Sequence, residues 1–224
     1  MAERITLTTD DDMQIVGDWA PAPTVIGAAL LLHMLPETRA SWLSVQQALV
    51  KQGVASLAID LRGHGQSTKS VNGQSFSYET FTDEETRSSS LDVSAAVEWI
   101  RSRGIDLNRI VLIGASIGAN LAILELVDEP SLAGAVLISP GKNFHGVAID
   151  EELPNLNSGQ HVLVVASEDD PIFADSQQLY HDAPVENKAF LPFTKAGHGT
   201  TIFKTELKLA DKIADWTASL IRAT

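Results

Sequence analysis

Short apolar runs rich in Val, Ile and Leu alternate along the chain with longer segments of helical period. This alternation is typical of a parallel β-sheet with helices on both faces, because strands that are covered on both sides are apolar throughout. The sequence therefore predicts an α/β fold with a mostly parallel central sheet. The candidate central strands are 26–32, 54–59, 110–113, 135–138, 162–166 and 188–191.

The first twenty residues show a different pattern. The stretches ERITLTT and MQIVGDW alternate polar and apolar side chains on either side of an acidic turn, DDD. An antiparallel hairpin has this pattern, and we expect the hairpin to form one edge of the sheet.

Helical periodicity predicts the segments that connect the strands. One helix is expected over 41–51 and another over 91–101, and a last helix over about 203–221. The apolar face of the last helix consists of Phe203, Leu207, Ala210, Ile213 and Leu220. Two longer polar connections remain, 66–85 and 140–160, and long connections inside an α/β domain are more often functional than accidental.

Composition narrows the possible classes of protein. With 224 residues, 44% of them apolar and 20% charged, the chain predicts a single domain over residues 1–224. A formal charge of −13 repels nucleic acid and anionic membranes, so neither is an expected partner. Cysteine is absent, which excludes disulfides, thiolate catalysis and cysteine-bound metal. The N-terminus lacks the segments of a secretory signal, so a cytoplasmic location is expected.

The stretch IVLIGASIGAN places Ser116 between Gly114 and Gly118, at the end of a predicted strand and the start of a helix. Such a GxSxG turn projects a serine side chain out of the sheet, and glycine is needed where any Cβ would clash across the turn. Ser116 is therefore the candidate nucleophile. The alternative is a Gly-rich turn that binds phosphate at a helix N-terminus, but neither GxGxxG nor a Walker A pattern is present.

Candidate partners of Ser116 follow later strands. Three consecutive acids, 168–170, follow the strand before the last, and only one carboxylate can orient a histidine; we expect Asp170, with Asp169 as the second choice. His198 lies between two glycines after the last strand, which allows the ring the mobility that a general base needs. The chain order is therefore nucleophile, acid, base, each directly after a predicted parallel strand.

The loop LHMLPETRASW, after the first central strand, is the candidate oxyanion loop. A tetrahedral intermediate carries a negative charge on oxygen, and we expect the backbone N–H groups of Leu35 and Ile117 to bind it. Ile117 opens the helix that follows Ser116. His33, in the same loop, is expected to stabilise the turn through a hydrogen bond to nearby backbone rather than to act in catalysis.

These motifs resemble the α/β-hydrolase superfamily, and nearly the whole chain takes part. Besides GASIG, the segment DLRGHGQS is similar to the DxRGHGxS turn of many lipases, esterases and related hydrolases. The resemblance implies an α/β-hydrolase fold, a structural role for this turn with its His64, and Leu35 as the oxyanion residue. Met34 departs from the family, which usually has glycine at that position.

The resemblance also bears on the substrate. Family members with a cap domain usually insert it after the strand that ends at Ile138, and the roughly 20 residues found there leave no room for one. A capless site suits small, fairly soluble acyl substrates. Aromatic residues in both long connections either cover the pocket in part or anchor their loops. They are Phe76, Tyr78, Phe81 and Phe144.

The expected function is that of a serine carboxylesterase, which acts on a small-molecule ester through an acyl-enzyme and requires no metal or other cofactor. Thioesters, amides and carbon–carbon bonds next to a carbonyl stay open, because they need the same triad. Dehalogenase and epoxide hydrolase chemistry would need an acid where Ser116 stands, and the lack of Cys excludes a cysteine-dependent dienelactone hydrolase. A ligand-binding sensor that retains the hydrolase pocket is the alternative from another class.

Overall fold

A computed structural model describes residues 2–224 of the chain. Within these residues, nine strands form one sheet and two short strands form a separate hairpin. The strands are β1 (Glu3–Thr8), β2 (Met13–Ala20), β3 (Gly27–Leu32), β4 (Val54–Ile59), β5 (Lys69–Ser70), β6 (Ile110–Ala115), β7 (Gly134–Ile138), β8 (Asn143–Phe144), β9 (Val147–Ala148), β10 (His161–Ser167) and β11 (Asn187–Phe193). The α-helices are α1 (Leu43–Lys51), α2 (Asp83–Arg87), α3 (Ser90–Ser102), α4 (Ile117–Asp128), α5 (Phe173–Asp182) and α6 (Leu209–Ala223).

The strand order across the sheet is β1-β2-β4-β3-β6-β7-β10-β11, and β5 pairs with β2. β2 is antiparallel to both β1 and β4, whereas all neighbours from β4 to β11 are parallel. The predicted mostly parallel sheet, with an N-terminal hairpin at one edge, is confirmed. The six central strands also lie where the pattern predicts them, with ends that differ by at most two residues.

Apolar side chains cover both faces of the parallel strands. Every residue of β3, β4, β6 and β7 is buried, because successive side chains point to opposite faces and both faces carry helices. Leu30 and Leu32 lie in the core cluster beneath α3 and α4, whereas Leu31 lies in the cluster beneath α1 and α6. The carboxyl ends of these strands together form another edge of the sheet, distinct from the lateral edge that carries the hairpin. Open α/β sheets bind their ligands at this carboxyl edge.

The predicted helix over 203–221 is wrong in its N-terminal part. Gly199–Lys204 form a 3-10 helix, and α6 begins only after a further four residues. Between the two helices, the Thr205 hydroxyl donates to the Ile202 carbonyl at 3.2 Å, a local bond that competes with continued α-helix formation. Leu207, which was predicted on the apolar face, is 79% exposed.

Both long connections contain short elements that the pattern did not predict. α2 begins with a capping box, in which the side chains of Thr82 and Glu85 each accept the backbone N–H of the other residue. Between β7 and β10, residues 139–160 hold the β8–β9 hairpin and a 3-10 turn, and no cap domain. The pattern also missed α5. None of the helices within residues 2–224 is long and apolar enough to cross a membrane.

Candidate active site

Ser116 occupies the single position between a strand and a helix. β6 ends at Ala115 and α4 begins at Ile117, so the chain must turn sharply at one residue. The backbone of Ser116 has φ 54° and ψ −120°, a strained conformation of the kind that clusters at functional sites. The Ser116 hydroxyl makes no hydrogen bond within residues 2–224, which leaves it available to a reacting group.

Two glycines make this turn possible. A Cβ at Gly114 would clash with the backbone of Gly118, and a Cβ at Gly118 would clash with the carbonyl oxygens of Leu32 and His33. The first turn of α4 therefore lies directly against the end of β3. The prediction that only glycine fits at these two positions is confirmed.

Two consecutive residues at the end of β7 hold both the turn 114–118 around Ser116 (the Ser116 turn) and the segment 194–199 that carries His198 (the His198 loop). The Ser116 N–H donates to the Ile138 carbonyl at 2.8 Å, and the Gly199 N–H donates to the Ser139 hydroxyl at 3.0 Å. Because β7 lies between β6 and β10, these bonds bring Ser116 and His198 to the same edge of the sheet.

Asp170 and His198 form a hydrogen-bonded pair at this edge. The His198 Nδ1–H donates to Asp170 Oδ2 at 2.7 Å; the Asp170 side chain is 1% exposed and the His198 side chain 34%. Since a carboxylate only accepts, Nδ1 carries a proton, and in the neutral ring Nε2 is left as an acceptor. Asp169, the second choice from the sequence, instead accepts the backbone N–H groups of Ala196 and Gly197.

The pKa of Asp170 lies below its ordinary value. Burial alone would raise this pKa, but hydrogen bonds from His198, from the Ser139 hydroxyl and from the Ile172 N–H outweigh the effect of burial. The carboxylate is therefore ionised at neutral pH and would stabilise a positively charged imidazole ring. Ser139 was not predicted, although it follows β7 directly, as Ser116 follows β6.

Leu35 and Ile117, the residue that follows Ser116, line one cavity. Within residues 2–224, neither backbone N–H has a protein acceptor, so both donors are free for an oxyanion. The N-terminus of α4 also carries a partial positive charge that favours an anion at Ile117. Met34 is the residue that departs from the family pattern. Its sulfur occupies the space that a Cβ at position 199 would fill, and it fits there because residue 199 is a glycine.

His33 makes only structural contacts. The Leu61 N–H donates to His33 Nε2 at 3.0 Å, and His33 Nδ1–H donates to the Met34 carbonyl at 2.9 Å. Burial, together with the nearby His64, lowers the pKa of His33 to about 3, so the ring is neutral. The turn-stabilising role predicted for His33 is confirmed.

His64 belongs to the DLRGHGQS turn and lies in the wall of the cavity. Its Nδ1–H donates to the Arg62 carbonyl at 2.9 Å, and its ring stacks on Tyr78 with centroids 4.0 Å apart. Arg62 in turn forms an ion pair at 2.8 Å with Asp92 of α3, and both side chains are buried. These contacts agree with the structural role expected for the turn.

The cavity has a volume of about 320 Å³. Its apolar wall consists of Leu35, Pro36, Leu61, Tyr78, Phe81 and Ile117. Tyr78 and Phe81 come from the first long connection and His145 from the turn of the β8–β9 hairpin, so both connections cover the cavity in part. Phe76 packs against the core instead. No group of three or more His, Asp or Glu within residues 2–224 is placed to hold a metal ion.

The family model described as serine aminopeptidase, S33, matches residues 24–156, which is more than half of the chain. The chain belongs to this family of α/β-hydrolases. The matched segment contains the candidate oxyanion loop and the Ser116 turn but ends before Asp170 and His198. The grouping of these last two residues with Ser116 therefore rests on the geometry of the fold. No curated protein matches the sequence.

Solved structures with the same fold cover almost all of the chain. An esterase of Pyrococcus furiosus is 19% identical, with a TM-score of 0.77 over 99% of this chain and 91% of that one. The esterase domain of a Rhodothermus marinus protein is 13% identical, with a TM-score of 0.74 over 99% of both chains. A 2,6-dihydroxy-pseudo-oxynicotine hydrolase is 16% identical, with a TM-score of 0.79 over 99% of this chain and 68% of that one. At such low identities, the similarity demonstrates the α/β-hydrolase fold alone.

Proposed function

We propose that this α/β-hydrolase is a serine carboxylesterase that cleaves small esters through an acyl-enzyme intermediate. The observation that carries the proposal is the strained Ser116 turn, which lies at the same sheet edge as the hydrogen-bonded pair His198 and Asp170. A buried acid paired with a partly exposed histidine, at the same sheet edge as a strained serine, fits the needs of nucleophilic acyl transfer.

In the proposed mechanism, His198 Nε2 removes the proton of the Ser116 hydroxyl while Ser116 Oγ attacks the ester carbonyl. The carbon–oxygen bond to the alcohol then breaks, and the alcohol leaves with the proton from Nε2. Water, activated by the same nitrogen, hydrolyses the acyl-enzyme and restores Ser116. Throughout, Asp170 holds the ring through Nδ1–H and stabilises its charged form.

The negative charge of the tetrahedral intermediate would be bound by the free N–H groups of Leu35 and Ile117. One donor of this kind typically contributes about 3 to 4 kcal/mol to the stabilisation of the transition state. Ile117 supplies its N–H at the positive end of α4, so the dipole of the helix adds to the effect.

The cavity supports a small substrate. Its volume of about 320 Å³ lies at the lower end of the range for ligand pockets, and its wall is largely apolar. Because Leu35 and Ile117 line it, a group attached to the carbonyl would enter the cavity when the oxyanion is bound. We therefore expect short acyl groups to be preferred over long ones.

The test is the turnover of 4-nitrophenyl acetate, butyrate and decanoate by the purified wild type and by Ser116→Ala. We expect the wild type to hydrolyse the short esters and to be labelled by a fluorophosphonate, and the variant to lose at least ~10³-fold in kcat and all labelling. A wild type that neither turns over nor labels would contradict the enzyme assignment. If the wild type is labelled but cleaves only a matched thioester or anilide, the bond assigned to the enzyme would change from an ester to a thioester or an amide.

A further inference from the structure

The loop that carries His198 is held by side chains rather than by a strand or an α-helix. It runs from the end of β11 to Gly199, the first residue of the 3-10 helix Gly199–Lys204, and both of its glycines have positive φ, 80° at Gly197 and 54° at Gly199. Glycine-rich backbone has many accessible conformations, so an ordered loop of this kind needs contacts that select one of them. Three backbone N–H groups of the loop make such contacts.

Asp169 holds the N-terminal side of the loop. Its Oδ1 accepts the N–H of Ala196 at 3.2 Å and the N–H of Gly197 at 3.1 Å. Ser167, at the end of β10, also accepts the Ala196 N–H at 2.9 Å, and its hydroxyl donates to Asp169 Oδ1 at 2.5 Å. The Ser167 hydroxyl, followed by the Gly197 N–H, holds the pKa of Asp169 below its ordinary value, so the acceptor is ionised at neutral pH.

Ser139 holds the other side. Its buried hydroxyl accepts the Gly199 N–H at 3.0 Å, and its own N–H donates to the Val165 carbonyl of β10 at 2.8 Å. Ser139 has φ 50°, although it is not a glycine. Such a conformation costs about 1 to 3 kcal/mol and persists where the surroundings impose it, often at functional sites.

We propose that Asp169 and Ser139 are positioning residues for His198. From opposite sides they hold the backbone N–H groups that flank the histidine, so that Nε2 faces Ser116 while Nδ1–H stays on Asp170. The proposal rests on the proposed role of His198 as the general base. A displacement of a catalytic group by about 1 Å costs up to ~100-fold in rate, so small shifts of this loop are enough to matter.

The chain offers a matched control for each residue. Glu168 is an exposed acid next to Asp169, and its side chain makes no hydrogen bond within residues 2–224. Ser56 is fully buried like Ser139, but its hydroxyl has no partner within the described residues. Substitution of either control removes the same chemical group without touching the His198 loop.

The first experiment compares steady-state kinetics of Asp169→Ala, Ser139→Ala, Glu168→Ala and Ser56→Ala on a 4-nitrophenyl ester. We expect each loop variant to lose about 10- to 100-fold in kcat with KM changed by less than about threefold, and each control to stay within about twofold of the wild type. Asp169→Asn keeps an oxygen that can accept both N–H groups, so it should recover most of the activity lost in Asp169→Ala. Equal kcat values for Asp169→Ala and Glu168→Ala would overturn the proposal.

The second experiment does not depend on turnover, and it also serves if a variant folds poorly enough to blur the kinetics. Amide hydrogen exchange of the wild type should be slow at Gly197 and Gly199. We expect Asp169→Ala to speed exchange at Gly197 by at least ~10-fold, and Ser139→Ala to do so at Gly199, because each loses its acceptor. Unchanged exchange in both variants would refute the positioning roles. An inactive wild type with the expected exchange pattern would refute the esterase function alone.

Discussion

The Ser116 turn and the His198 loop lie at the same edge of the sheet, but they are built in different ways. Backbone geometry fixes Ser116, because a strand, a helix and two glycines leave only one path for the chain. Side chains from neighbouring strands fix His198, through Asp170, Asp169 and Ser139. Substitution of the glycines of the Ser116 turn should therefore mainly lower stability, whereas substitutions around His198 should mainly lower activity.

The largest effect is expected on the His198 side, from Asp170→Asn. The amide lacks the negative charge of the carboxylate, and its N–H group can donate to Nδ1 and so favour the wrong ring tautomer, so kcat should fall by about 10⁴-fold, equivalent to about 5.5 kcal/mol. The variant should stay folded. Steady-state kinetics and thermal unfolding measure the two effects, with Glu168→Gln as a control that loses the same charge nearby. A loss of less than ~10-fold would show that the pair does not set the geometry of the base.

On the Ser116 side, Gly118→Ala should cost stability. The added methyl group meets the carbonyl oxygens of Leu32 and His33, which are parts of the backbone and cannot move aside cheaply. We expect a loss of about 3 kcal/mol in the free energy of unfolding, despite the better helix propensity of alanine. Urea unfolding measures this loss. In the control Gly159→Ala, the new methyl group would approach only the Asn157 side chain, so the free energy of unfolding should hardly change. Equal losses of stability in the two variants would contradict the view that backbone geometry fixes the Ser116 turn.

The contrast also explains which parts of the site the sequence predicts. The Ser116 turn depends on residues within a few positions of one another, and the alternation of apolar runs locates the strands because both faces are buried. The contacts of Asp169 and Ser139 join residues that are 28 and 60 positions apart, and nothing local in the sequence marks them. The break before α6 escaped prediction for a different reason: the Thr205 hydroxyl bonds to the carbonyl of Ile202, three residues earlier, while the apolar period continues past it.

A smaller effect, governed by pH, is expected within α4, the helix that Ser116 precedes. Glu125 of α4 is buried, and burial raises its pKa to about 7 although the Ser94 hydroxyl donates to it at 2.7 Å. Because the pKa is higher in the folded state than in the unfolded state, the folded protein binds the proton more tightly. The contribution of Glu125 to the free energy of unfolding is fully present below about pH 4.5. It falls as the pH rises to about 7 and changes no further above that.

Glu125→Gln removes the ionisable group, and with it this loss of stability at higher pH. We expect the variant to be about 1 to 2 kcal/mol more stable than the wild type at pH 8, with a difference near zero at pH 4. Urea unfolding at the two pH values measures it, and Glu98→Gln, which removes an exposed carboxylate of α3, is the control. Since Glu125 lies far along the helix from Ser116, kcat at pH 8 should be unchanged. A parallel change in kcat would mean that the Ser116 turn is less rigid than its backbone geometry implies.

The smallest effect is expected at Leu207, in the segment that follows the His198 loop. Helical periodicity placed this residue on the apolar face, but its side chain is 79% exposed between the 3-10 helix and α6. Leu207→Ala should therefore change the free energy of unfolding by less than about 0.5 kcal/mol. Leu209, two residues later and 1% exposed, is the matched control, and Leu209→Ala should cost about 2 to 5 kcal/mol. Similar costs at both positions would mean that the helix is continuous, and that helix packing, in addition to Asp169 and Ser139, orders the end of the His198 loop.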